Sequence, residues 1–592
     1  MDPKKFFSEL KRRNVYKVAI TYAITSWLLA QIIALAADTF GAPDWVTKIV
    51  FVVLVIGFPI ALILAWAFEM SPQGMIRTSS STAQVNPYQV NKKKSFASNL
   101  IIGILAVALI GQFAYNKYSV KTPLLVTNIE KTIAVLPFIN LSNDPNQEYF
   151  SDGMMEEILK HLVKIKKLKV TSRTSSMQFK MSAKSLKEIG NELGVRYLLE
   201  GSVRKYEDEV RISTQLIEVE SDMNLWSKSY DRKLVDIFSI QSDIAKNVAA
   251  ELSMVLSPSE IEQIDKRGTE NLEAYNFYLK GRHFFHQRTQ GSEKLKKCVE
   301  YFEKSLSLDP SYAIAYAGLA DALMQLAWRE WDFDPLNASE RITKAKEYVR
   351  KALEIDPNLA EAQAVLGFIT CFFDWQWEEG GKILEKAIEL SPNYSTAHQY
   401  YSEYLSVTRQ TDAARVEINK AIELNPFSMQ LHFLSSVYYY NQQKFGEALI
   451  EVLKVKELDN NFSLYWNLFY IYWEQGKEEK AIQQLKHLWS VDSYLVEHIK
   501  FLDDIYSKNG MNGVIKWWMS FEENRNPNGP HYIAMNYGAI GENELALEYL
   551  ERAFELGGPN LPSMKNNRMF ASIQSNPRFI SMLEQMGLVE EK

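Results

Sequence analysis

The stretch from Ile133 to Leu162, IAVLPFINLSNDPNQEYFSDGMMEEILKHL, joins an apolar run to a polar, acidic loop and then to a helical pattern. That order opens an α/β domain, and the loop stands where an active site at a strand end would lie. The run TIAVLPF is continuously apolar, which suits a strand covered on both faces. In the helix after it, Met155, Ile158, Leu159 and Leu162 share one stripe, with Glu156, Glu157, Lys160, His161 and Lys164 opposite. A second strand is expected at 168–171, before SRTSS, and a second helix at KSLKEIGNEL, stopped by Gly194. Three extended runs, VRYLLEGSVRKY, EVRISTQLIEV and NLWSKSYDR, and a helix over about 235–256 complete the order β-α-β-α-β-β-β-α. This is a mixed sheet with helices on it.

Asp152, Glu156, Glu157 and His161 are the residue types that general acid-base chemistry uses. Their positions read more simply: Asp152 and Glu156 near the positive end of a helix dipole, and Glu157 and His161 as an i, i+4 pair on a solvent-facing stripe. Arg173, Ser175 and Ser176 follow the second strand, where a guanidinium and hydroxyls can grip an oxyanion, and they are the candidate ligand or partner contacts of this domain. No phosphate-binding glycine loop, His-Glu-x-x-His or Gly-x-Ser-x-Gly pattern occurs. His283 and His286 lie three apart on a helix without a third ligand, and Cys298 and Cys371 have no metal spacing. No catalytic residue, metal or cofactor is expected.

Beyond Ser257 a similar ending recurs: YFEKSLSLDP to Pro310, YVRKALEIDP to Pro357, ILEKAIELSP to Pro392, EINKAIELNP to Pro426 and EVLKVKELDN to Asn460. From Pro357 onward the intervals are 35, 34 and 34 residues, the period of the tetratricopeptide repeat. The first interval is longer because WREWDFDPLNASE is inserted between two helices of one unit. Ala345, Ala352, Ala387, Ala414, Ala421, Ala448, Ala481, Ala546 and Ala553 fall where helices of a hairpin touch. Seven or eight units are expected, with a capping helix in the tail. Such an array presents a concave face to a protein or peptide partner, and Tyr439, Trp466 and Trp473 are candidate anchors there.

The first 122 residues carry three apolar runs, at 18–37, 49–68 and 99–115, each long enough for a membrane helix. Six cations precede the first run and four separate the second from the third, against the single Lys48 in the short loop. Lys/Arg are retained in the cytoplasm, so the sequence predicts a multi-pass bacterial inner-membrane protein with periplasmic C-terminal domains. The net charge of -6 offers no general attraction to nucleic acid, so none is expected as a partner. The oligomeric state is not readable.

The segments IAVLPFINLSNDPNQEYFSDGMMEEIL, VTSRTSSMQFK, IGNELGVRYLLEGSVRK and LWSKSYDRKLVDIFSIQSDIA resemble the TolB amino-terminal-like (FlgO-like) module of bacterial membrane-anchored tetratricopeptide proteins. FFSELKRRNVYKVAITYAITSWLLAQ and FPIALILAWAFEMSPQG resemble the anchor of those proteins. Relatives often carry an adenylate cyclase label, yet no segment here resembles a cyclase catalytic domain with paired metal-binding aspartates. The resemblance implies a multidomain chain: membrane anchor (1–122), α/β mixed-sheet module (123–257) and all-α tetratricopeptide solenoid (258–592). The function it implies is a non-enzymatic scaffold, with a regulatory role in nucleotide signalling as the alternative.

Overall fold

The computed structural model describes parts of two compact units, 1–125 and 126–592. In the first these are residues 18–19, 21–27, 29, 54, 57–59, 68–71 and 74–77. In the second they are residues 131–589 apart from 143, 145–146, 289–290, 331–333, 459–462, 492–494 and 526–528.

In the first unit, β1 (Phe68–Ser71) and β2 (Gly74–Arg77) pair antiparallel, Phe68 opposite Arg77. The expected membrane-spanning fold and inner-membrane location are corrected here: among the described residues no helix is long and apolar enough to cross a membrane. Crossing takes about 20 consecutive apolar helical residues. The longest described helical run in this unit is 21–27, and Phe68, the expected end of the second span, opens a strand. The expected span at 99–115, and most of the other two, lie outside the described residues.

The second unit opens on β3 (Lys131–Val135), an interior strand of its sheet. After β3 come β4 (Ile139–Asn140), β5 (Leu168–Val170), β6 (Tyr197–Tyr206), β7 (Glu209–Glu218) and β8 (Met223–Lys233). The order is β5-β3-β6-β7-β8, with β4 beside β6; β3 runs parallel to β5 and β6, β4 runs parallel to β6, and β6-β7-β8 is an antiparallel meander. β3 is covered on both faces. Ile133 and Val135 pack with helices α1 (Glu148–Val163) and α4 (Ile237–Glu251), and Ala134 packs with α3 (Leu186–Leu193). SRTSS forms one helical turn, α2 (Arg173–Met177), capped by the Ser172 hydroxyl. α3 has a capping box from Ser185 and Glu188 and ends at left-handed Gly194, as its sequence predicts.

Ser257 and Glu260 box the start of α5 (Pro258–Asp265), and among the described residues eight helical hairpins follow. The first pairs α6 (Leu272–His286) with α7 (Ser292–Leu308); the second pairs α8 (Ala313–Glu330) with α9 (Pro335–Ile355). The insertion lengthens these last two helices to 18 and 21 residues, against 13 and 14 in the third hairpin, α10 (Ala360–Phe372) and α11 (Trp377–Leu390). α12 (Ser395–Val407) and α13 (Thr411–Leu424), α14 (Met429–Asn441) and α15 (Phe445–Leu458), and α16 (Ser463–Glu474) and α17 (Glu478–Val491) repeat the pattern. The seventh hairpin is the degenerate one: α18 (Ile499–Arg525) folds on itself at Gly510, whose φ of 64° only glycine adopts readily. α19 (Pro530–Ala539), α20 (Asn543–Leu556) and the capping helix α21 (Pro577–Gln585) close the array. All nine alanines singled out above are buried, which lets each pair of helices approach. The tail returns to the third hairpin, where the Trp377 indole N–H donates to the Met586 carbonyl at 2.6 Å.

Candidate functional site

α1 is apolar on the side facing the sheet, and its other side is covered too. α6, the first helix of the repeats, lies across it so closely that a Cβ on Gly153 would meet the Leu279 side chain at 2.8 Å. The stripe read above as solvent-facing is therefore largely covered: Glu156 and His161 are buried and Glu157, Lys160 and Lys164 partly so, and Asp152 is buried as well.

Burying carboxylates costs several kcal/mol each unless cations and hydrogen bonds compensate. Here both domains supply them. Glu156 takes the Arg282 Nε at 2.7 Å and the His286 Nε2–H at 2.9 Å from α6, with Lys160 at 3.6 Å and Arg173 at 3.5 Å from the module. Asp152 takes Lys180 at 2.7 Å and faces Arg173 at 3.8 Å and His283 at 3.9 Å. Lys160 also bridges to Glu157 at 2.8 Å and to the Tyr278 hydroxyl. Four carboxylates (Glu148, Asp152, Glu156, Glu157) thus meet four cations (Lys160, Arg173, Lys180, Arg282).

Burial alone would raise the Glu156 carboxyl, but Arg282, His286 and Lys160 together hold it well below the usual carboxylate range. Burial and the neighbouring Arg173 hold His286 far below the usual imidazole range, so the ring is neutral and donates its Nε2–H. Glu156 consequently has no proton to give near neutrality.

A second seam ties α2 to the repeat turns. The Ser175 hydroxyl bonds to the Asn425 side-chain oxygen at 2.7 Å and accepts the Phe427 N–H at 2.9 Å. The Ser172 N–H donates to the Leu424 carbonyl at 2.8 Å, Asn393 donates to the Leu168 carbonyl at 2.9 Å, and Phe179 sits edge-on to Phe427. Between the seams lies a cavity of about 810 Å³. The module lines it with Lys160, Lys164 and Arg173, the repeats with Arg282, Asp321 and Tyr394. Asp321 is buried with its Oδ1 unpartnered, and burial raises its carboxyl.

The sequence-selected residues separate into two groups. Arg173 lines the cavity and Ser175 holds the module to the array; Ser176 is fully buried beside them, its hydroxyl without a hydrogen-bond partner. Tyr439, Trp466 and Trp473 lie in the fifth and sixth hairpins, partly buried against the core. Trp466 stacks on Trp518 at 4.3 Å with Tyr532 edge-on, and Trp473 stacks on Phe469 at 5.9 Å. Sequence reasoning missed the pairing of Asp152 and Glu156 with Arg282, His283 and His286. Two signals were available: a glycine inside α1, which marks a close helix contact, and a stripe of cations and imidazoles on α6 that needs opposite charges if covered. Among the described residues no group of three or more His, Cys, Asp or Glu is placed to hold a metal ion.

Residues 129–247 match the family described as HilA/YgeH-like transcriptional regulator, second domain, and residues 337–359 match the tetratricopeptide repeat. The first match names a different family from the TolB amino-terminal-like resemblance. A protein of Rhizobium meliloti (strain 1021) described as putative adenylate cyclase 3 is 37% identical over 189 residues, 32% of this chain and 32% of that protein. The chain thus matches about a third of that relative's length. Among solved structures, the type IV pilus biogenesis factor PilW is 15% identical, covering 39% of this chain and 98% of its own at a TM-score of 0.31. PilF of Pseudomonas aeruginosa is 18% identical (39% and 97%, TM-score 0.29), and the human IFIT1 dimer with m7Gppp-AAAA is 16% identical (60% and 77%, TM-score 0.33). The hairpins and the repeat match define the class: this is a tetratricopeptide-repeat protein with an α/β module ahead of the array.

Proposed function

We propose that the chain is a scaffold for protein-protein interactions, in which the repeats and the TolB-like (FlgO-like) α/β module act as one body. The observation that carries this reading is the balanced ion network between α1 and α6. It consumes the carboxylates that a catalytic reading needs, and it fixes the module against the array. Repeat arrays of this kind bind protein segments on extended surfaces. Photo-crosslinkers placed on the array should capture discrete protein partners that then bind the purified chain in titrations. Turnover of ATP or GTP by the purified chain, lost in Asp152→Asn or Glu156→Gln, would replace the scaffold with an enzyme.

A second reading, a ligand-sensing component of nucleotide signalling, draws on the cavity lined by Arg173 and Arg282 and on the similarity to a protein named as a cyclase. Nucleotides that raise the melting temperature of the native chain, but not of Arg173→Ala, would favour it.

A further inference from the structure

α6 and α7 carry a second charged feature, on the side away from the cavity. Phe277, Lys280 and Phe284 recur at helical spacing on α6, and Lys294, Lys297, Tyr301 and Lys304 do so on α7. The rings form one stack, with Tyr301 5.5 Å from Phe284 and 6.2 Å from Phe277. The Lys280 ammonium stands over Phe277, Tyr301 and the module's Tyr149 at 5.4, 5.9 and 5.2 Å. Lys294 and Lys297 stand over Phe284 at 5.7 and 5.5 Å, and Lys304 over Tyr301 at 5.3 Å. Lys205 of β6 stands over Phe150 at 5.0 Å. None of these five ammoniums makes an ion pair among the described residues, whereas the adjacent Lys296 pairs with Glu293 at 2.8 Å. Burial and the like charge of Lys280 depress the Lys205 ammonium, so these two cations repel each other across the module-repeat junction.

We propose that this face is a docking surface for an acidic polypeptide segment. The proposal rests on the scaffold reading and names the chemistry of one partner. Ring faces hold the ammoniums in fixed positions by cation-π attraction and leave them partly hydrated, so an incoming carboxylate gains charge complementarity without ordering five free lysines. The stack also argues against single-stranded nucleic acid, which needs open ring faces for its bases. Tyr301 is stacked with Phe277 and Phe284 and has Lys280 and Lys304 over its ring, and ammoniums stand over Phe284. Glu300 and Glu303, exposed on α7, would repel a continuous row of phosphates yet fit a protein surface of mixed charge.

The test is fluorescence anisotropy on the full chain with three probes: a labelled Glu/Leu peptide, an oligo-dT of equal charge, and vesicles of phosphatidylglycerol and phosphatidylcholine. The peptide should bind, more weakly as salt rises, and Lys280→Glu with Lys297→Glu should weaken it about tenfold or more. The pair Lys294→Gln and Lys297→Gln should weaken it less, with an unchanged melting temperature, while Lys296→Glu should have little effect. No peptide binding, binding indifferent to these lysines, or preference for the oligonucleotide or the vesicles would overturn the proposal. If the array still captured protein partners by photo-crosslinking, the scaffold would stand and only this docking face would fall.

Discussion

Glu156 and Arg282 lie 126 positions apart and meet at 2.7 Å, a buried carboxylate of the α/β module held by a guanidinium of the first repeat. The pair makes one body of segments that look independent in sequence.

Removing the carboxylate should cost more than the pair contributes. Glu156→Ala leaves Arg282, Arg173 and Lys160 without their shared acceptor, and breaking such buried pairs typically costs about 3–5 kcal/mol. Urea unfolding should show that loss, while Glu156→Leu combined with Arg282→Met should recover most of it.

Gly153 should resist the smallest enlargement. Its Cβ would meet Leu279 at 2.8 Å, so Gly153→Ala should destabilise by about 1–3 kcal/mol despite alanine's better helix propensity. Adding Leu279→Ala should restore part of the loss in the same unfolding assay if the close approach of α1 and α6 is the cause.

Acid should weaken the fold through two kinds of group. Burial lowers His531 to about 4, with its Nδ1 unpartnered. A lowered imidazole contributes its full stability above the unfolded value of about 6.5 and loses it as pH falls toward 4, a total of about 3 kcal/mol. Glu156, also lowered, follows at lower pH: its contribution is complete above the unfolded carboxylate value of about 4.3 and is lost as pH falls through the native one. Melting temperature against pH should therefore decline in two stages, and His531→Phe should reduce the first, to which the lowered His286 and His161 also contribute.

Separating the chain after Ser257 should give two pieces that find each other. Residues 126–257 and 258–592, expressed as separate chains, should co-elute, because Ser175, Phe179 and Glu156 all need partners in the repeats. Ser175→Ala removes its bonds to Asn425 and Phe427, and calorimetry should show affinity weakened about tenfold, the equivalent of roughly 1.4 kcal/mol.

What the sequence determined by itself was everything whose cause is local. Apolar continuity in TIAVLPF marks a strand covered on both sides, Ser185 and Gly194 bound α3, and the recurring alanines mark hairpin contacts, because period and capping are written within a few residues. The repeat period was likewise legible. The apolar runs of the first 122 residues matched the length of a membrane helix, but length and hydropathy do not dictate local conformation, and Phe68 lies in a strand. Only the tertiary structure decided which face of α1 meets water. A helical wheel places Glu156 opposite the core; the helix that covers it starts at Leu272, more than a hundred residues away. Burial depends on every surface that packs against a residue, whereas periodicity reports only the nearest one. That difference turned a surface charge stripe into the electrostatic joint between the module and the repeats.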